Sequence, residues 1–164
     1  MTTAAAVGLA RWQALDADDR DAVRGLALSA EQLEFAGPVE RAIAACEAAD
    51  PALVAGLAIR AGTEVVGWLT LKRGAAAPDW ADGAVVVGGL RIASSRQGRG
   101  LGAMALDLLP AWVAQHWPGA SRLLLRVDDG NAAGIRAYEK AGWTEVGERR
   151  VGRVGVERTM ALAL

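Results

Sequence analysis

The sequence predicts one mixed α/β or α+β domain over residues 1–164, with a mostly antiparallel sheet of about six or seven strands, a single parallel pair and about four flanking helices. Three observations carry this prediction. The stretch LVAGLAIRAGTEVVGWLTLKRG, from position 53, reads as two β-rich runs around a tight turn at Arg60–Thr63. The strand-like segments AVVVGGLRIA (84–93) and SRLLLRV (121–127) enclose a helical one, a β-α-β crossover that makes those two strands parallel. The tail from Trp143 to Leu164 alternates as two more strands around Gly152–Gly155.

In chain order, LARWQAL (9–15) suits a first strand, and DADDRDAV supplies an acidic helix start. A second helix begins near Ser29, where SAEQ has the capping-box arrangement of a serine with Gln32 three residues on. Pro38 interrupts it, and ERAIAACEAA resumes. Gly88–Gly89 inside the strand 84–93 marks a bulge or a close backbone approach. Leu101, Met104, Ala105, Leu108 and Trp112 fall at helical spacing, with Pro110 expected to kink that helix and Trp117–Pro118–Gly119 to close it. DDGNAAGIRAYEKAGW reads as a capped helix ending at Gly142, suited to the left-handed position just past a helix end.

Composition excludes several classes. With 52 % hydrophobic and 23 % charged residues the chain is neither disordered nor a coiled coil. No apolar run reaches the ~18–20 residues of a membrane span, and Met1–Leu9 lacks a signal peptide's pattern, so a cytoplasmic protein without membrane partners is expected. One cysteine, Cys46, and one histidine, His116, offer no metal-ligand cluster and no disulfide. Charge is uneven: up to Asp50 there are nine acidic and four basic residues, and from Leu90 onward eleven basic and seven acidic. Such a chain can hold an anion site and a cation site in one fold. Only two lysines, Lys72 and Lys140, and a pI near 5.9 argue against nucleic-acid binding.

The segment SSRQGRGLGAMAL (94–106) carries the chemistry. Gly98, Gly100 and Gly102 precede a helix whose first N–H groups lack intrahelical partners, and Arg96 and Arg99 add charged donors. That points to a phosphate-bearing ligand. A Walker-type loop is excluded because Ala103–Met104 stands where Lys-Ser/Thr is needed. The dinucleotide fingerprint fits as Gly98-x-Gly100-x-x-Ala103, but only one crossover is present and too little chain follows Asp128 for further parallel strands.

Gln97-Gly98-Arg99-Gly100-Leu101-Gly102 resembles the Q/R-x-x-G-x-G/A signature of the GCN5-related N-acetyltransferase (GNAT) superfamily. The strand GGLRIA, Asn131 and AYEKAGW (137–143) follow in that family's order and spacing. The resemblance implies the acyl-CoA N-acyltransferase fold with a splayed parallel pair, and acetyl-CoA as acetyl donor with no metal. It implies that backbone amides of residues 98–103 (Gly98, Arg99, Gly100, Leu101, Gly102, Ala103), with Gln97, hold the pyrophosphate. Backbone groups of Leu90, Arg91 and Ile92 would pair with the pantetheine arm as if it were another strand, and Asn131, Gly134 and Lys140, with Arg136, would complete the cofactor contacts. Tyr138 would be the general acid that protonates the departing thiolate.

The resemblance implies direct attack by an amine, from a small cationic molecule such as a polyamine or from a peptide: QLEFAGP (32–38) resembles the corresponding stretch of small-amine and polyamine acetyltransferases in this superfamily, and the acidic N-terminal part suits a polyamine, a basic peptide N-terminus or an aminoglycoside equally. Glu31, Glu34, Asp82 or a chain of waters would take the amine's proton. A non-catalytic acyl-CoA-binding regulatory module is the alternative, and Tyr138 separates the two, since a pure binder does not need it. Family members are commonly dimers, which makes a homodimer a further expectation.

Overall fold

The computed structural model describes residues 3–164. One seven-stranded sheet runs β1 (Val7–Arg11), β2 (Val54–Ala61), β3 (Glu64–Lys72), β4 (Val85–Ile92), β5 (Arg122–Asp128), β7 (Val156–Ala163), β6 (Thr144–Val151) in spatial order. Every neighbouring pair is antiparallel except β4 and β5. The predicted class holds, with β7 lying between β5 and β6.

Two layers of helix cover the sheet. Helices α1 (Ala17–Arg24) and α3 (Val39–Ala48) place Val23, Ile43 and Cys46 against Ala58 and Trp68 on one face. On the other, α4 (Leu101–Asp107), α5 (Leu109–His116) and α6 (Ala132–Lys140) bury Leu106, Leu109, Val113 and Ile135 against Leu57, Leu69, Leu123 and Leu125. Strands β2 and β3 are largely apolar on both faces because both faces are covered. Helix α2 (Ala30–Ala36) differs: it has no fully buried residue.

Two local expectations need correction. The first strand ends at Arg11, and Trp12–Ala14 forms a 3₁₀ turn that turns Trp12 inward against Trp68. Pro110 does not kink a single helix. It sits in the first turn of α5, where its missing N–H has no intrahelical acceptor to lose, and the rod divides at Leu108 into α4 and α5.

Candidate active site

β4 and β5 are paired only at Val85↔Leu123 and Val86↔Leu124, and beyond that they separate. The cause lies in β4. Thr70 of β3 faces Gly88 while Trp68 faces Arg91, so β4 carries one extra residue, a bulge at the glycine pair. Gly89 has φ +61°, and a Cβ there would lie 2.6 Å from Arg91 Nη1. Arg91 fastens the bulge by donating to the Gly89 carbonyl at 2.6 Å.

The gap opens a cavity of about 570 Å³, within the range of small-molecule and cofactor sites. Glu31, Gln32 and Phe35 of α2 form one wall, and Gly89, Leu90 and Ile92 of β4 the next. Arg126, Val127 and Asp128 at the end of β5, with Asn131, Gly134, Arg136, Tyr138 and Lys140 on or at the start of α6, form the rest. Gln97, Gly98, Gly100, Leu101, Gly102 and Ala103 close one end. Most of the residues expected from sequence therefore border one space.

The three loop glycines serve different ends. Gly98 (φ +75°) and Gly100 (φ +76°) occupy left-handed backbone that side chains disfavour. Gly102 is helical, and a Cβ there would make ordinary contacts of 3.6 and 3.7 Å with Leu90 and Ile92. Lys140 Nζ lies 3.5 Å from the Cβ position of Gly100, so α6 supplies a cation to this end.

Asn131 caps α6, its Oδ1 accepting from the Gly134 N–H at 3.0 Å. Gly134 leaves room for this, since a Cβ there would fall 2.6 Å from Asn131 Nδ2. At the other end the Gly142 N–H donates to Glu139 and the Trp143 N–H to Tyr138, both at 3.0 Å, with Gly142 at φ +90°. This is a Schellman motif, and its customary apolar contact is between Tyr138 and Trp143. Tyr138 is 9 % exposed, and burial pushes its pKa up to about 12. The phenol is therefore neutral across the physiological range.

Several expected residues lie elsewhere. Arg99 is outside the cavity lining, and Arg96, though bordering it, is ion-paired with Glu64. Arg91 is 3 % exposed and turned from the cavity toward the end of α2, donating to Gly37 at 2.9 Å and also to Ala36. Burial lowers its pKa to about 10, leaving it charged at neutral pH. Asp82 precedes β4, at the opposite end of the strand from the bulge, and pairs with Arg122 at 3.2 Å. Glu34 is not among the lining residues, and its carbonyl accepts from Arg153.

Ile92 departs from expectation in a different way. The Ala93 N–H donates to Val66 of β3 at 2.8 Å, so by strand alternation Ile92 directs its N–H and C=O away from β3 into the gap. Both are already bonded. Gln32 Nε2 donates to the Ile92 carbonyl and the Ile92 N–H donates to Gln32 Oε1, each at 2.8 Å. Ser29 caps α2 as expected, accepting from the Gln32 N–H at 3.2 Å, but the Gln32 side chain does not return to close a capping box.

Sequence reasoning missed Gln32, Arg126 and Asp128 as site residues. Asp128 Oδ1 and Arg126 Nε are buried atoms without a hydrogen-bond partner among the described residues. Arg126 stacks over Trp80 at 4.1 Å. A signal existed for the β5 pair: polar residues at the carboxyl end of a parallel strand sit where such sheets bind ligands.

The sequence profile described as the acetyltransferase (GNAT) family matches residues 12–143. The chain belongs to this family. An uncharacterized N-acetyltransferase, YbbJ of Bacillus subtilis (strain 168), is 31 % identical over 72 residues, a stretch covering 44 % of this chain and 45 % of that relative. Among solved structures, the aminoglycoside acetyltransferase AAC(6′)-Ib in complex with coenzyme A superposes with a TM-score of 0.73 at 19 % identity, covering 96 % of this chain and 95 % of that one. The spermidine N-acetyltransferase of Vibrio cholerae, in complex with CoA and spermine, gives 0.70 at 13 % identity with the same coverages. These likenesses establish the GNAT fold. Among the described residues, no group of acidic, cysteine or histidine side chains is arranged to hold a metal ion, and no helix is long and apolar enough to cross a membrane.

Proposed function

We propose that the protein is an acetyl-CoA-dependent N-acetyltransferase that acetylates a small amine directly. One observation carries the reading: the gap between β4 and β5 leads from the positive-φ glycine loop to a buried, neutral tyrosine at its wall. The residues suit the donor. Gly98 and Gly100 allow backbone N–H groups to approach a diphosphate, Lys140 stands beside Gly100 with Arg136 on the same cavity lining, and the β4 edge at Leu90 and Ile92 is a template for an extended amide-bearing arm.

Acetyl-CoA supplies the thioester whose carbonyl carbon the amine nitrogen attacks. A backbone N–H of β4 polarises the thioester oxygen. As the C–S bond breaks, Tyr138 donates its proton to the sulfur. With the phenol near 12 and a reference thiol near 8.5, complete transfer in water would be uphill by about 3.5 pK units, roughly 5 kcal/mol. That gap narrows in place, because the burial that raises the phenol pKa also raises that of a thiol in the same pocket. The proton lost from the amine passes to a carboxylate on the cavity wall. Asp128, with an oxygen free of protein donors, serves this role better than Glu34 or Asp82, and Glu31 is the remaining lining carboxylate.

Glu31 and Asp128 favour a cationic acceptor, polyamine-like or a peptide amine. One observation favours a second class, amines that carry a carboxylate: the guanidinium carbon of Arg126 lies over the Trp80 ring, 4.1 Å from its centroid, with Nε unpaired. Thiol release from acetyl-CoA with a panel of polyamines, aminoglycosides, basic peptides and amino acids tests both. Turnover on at least one amine is expected. Tight CoA binding without turnover on any would instead favour a non-catalytic CoA-binding module.

A further inference from the structure

The Gln32 side chain forms on β4 the pair of bonds that an added strand would form there. Its carboxamide meets the N–H and C=O of Ile92 simultaneously, on the side that faces the gap. An amide in a flexible side chain is chemically the same group as an amide in an extended ligand arm. Only one of them can hold this edge at a time.

The element that carries Gln32 is attached by polar ties. Helix α2 has no fully buried side chain. At its C-terminal end Arg91 donates to the carbonyls of Ala36 and Gly37, and Arg153 reaches Glu34. Just before the helix, the Ser94 N–H donates to Ala27 at 2.7 Å. Within its first turn, the tie across to the sheet is Gln32. That turn also carries Glu31, a lining carboxylate on the same wall as Phe35.

We propose that Gln32 is an internal stand-in for an amide of the pantetheine arm, holding the β4 edge at Ile92 until acetyl-CoA replaces it and thereby releases the first turn of α2. This deepens the reading above and rests on the β4 edge as the seat of the arm. Acetyl-CoA then does two things on arrival: it takes the edge, and it frees Glu31 and its turn to settle around the acceptor. Binding of the donor precedes formation of the acceptor pocket. Gln97 Nε2, 3.3 Å from the Ile92 carbonyl, is a second donor that keeps this oxygen satisfied during the exchange.

A protein that must first break an internal pair binds its ligand more weakly by the fraction of molecules in which the edge is free. Two variants remove the competitor, Gln32→Met, which keeps the side chain's length, and Gln32→Ala. Calorimetric titration with CoA should give affinities about fivefold tighter than wild type for both. The affinity for 3′,5′-ADP, which lacks the pantetheine arm, should be unchanged. In nitrogen-15 spectra of the wild type, the Gln32 carboxamide signals, identified by their loss in Gln32→Met, should move on adding CoA and stay on adding 3′,5′-ADP. Unchanged or weaker CoA binding in both variants, or carboxamide signals indifferent to CoA, would overturn the proposal. Equal affinities of the wild type for CoA and 3′,5′-ADP would instead remove the β4 edge as the seat of the arm, and the proposal with it.

Discussion

The main-chain N–H of Trp143 donates to the carbonyl of Tyr138 at 3.0 Å, and the two rings lie 6.0 Å apart, tilted by 55°. The contact exists because Gly142, at φ +90°, turns the chain back on the helix it ends. The segment AYEKAGW thus combines the proposed acid with the device that fixes its ring. Gly142→Ala forces a side chain into left-handed backbone and should lower stability by about 1–2 kcal/mol. A fall in the urea midpoint with an unchanged m-value checks it, and turnover should fall as the Tyr138 ring loses its seat.

Tyr138→Phe removes the proton donor and keeps the ring. Turnover should drop by about 100-fold or more, the scale of general acid catalysis, while CoA affinity measured by titration stays close to wild type. Because the phenol ionises near 12, the wild-type rate should show no loss from tyrosine ionisation below about pH 11.

The same shift has a stability consequence. Unfolded, the phenol ionises near its ordinary value of 10, and folded near 12, so between these values the unfolded chain binds fewer protons. The contribution is present below pH 10 and is lost as pH rises toward 12, reaching about 3 kcal/mol. Tyr138→Phe should accordingly show a shallower decline in urea midpoint over that window.

Gly100→Val should weaken CoA binding about tenfold or more, since φ +76° is costly for a β-branched residue and the loop must shift. Titration with CoA measures this, and an unaltered circular dichroism spectrum establishes that the fold persists.

Asp128→Asn removes the carboxylate proposed to accept the amine's proton and should reduce kcat by about 100-fold. Asp82→Asn is the comparison. Asp82 is exposed, pairs with Arg122 and lies at the far end of β4, so its substitution should leave kcat within about twofold, surface changes away from special features being nearly neutral.

The sequence alone determined the local features: the hairpin turn, the β-α-β crossover, the glycine pair, the loop glycines, the Asn131 cap and the Gly142 stop. Each is written in residues a few positions apart, because turn and cap chemistry is local. The order of these elements, with the GNAT signature, also sufficed to foresee a sheet with one parallel pair. Tertiary structure alone decided which polar groups meet across the gap. Gln32 and Ile92 are 60 positions apart, Arg91 and Gly37 are 54 apart, and neither pairing has a local signature. The family resemblance implies that Arg91 contributes backbone groups to the cofactor's arm and leaves its side chain unplaced. Strand alternation sends it to the end of α2, where its charge meets carbonyls that the helix leaves unpaired. Asp128 emerged only once β5 was seen to part from β4, since a carboxylate's role depends on which groups fail to reach it.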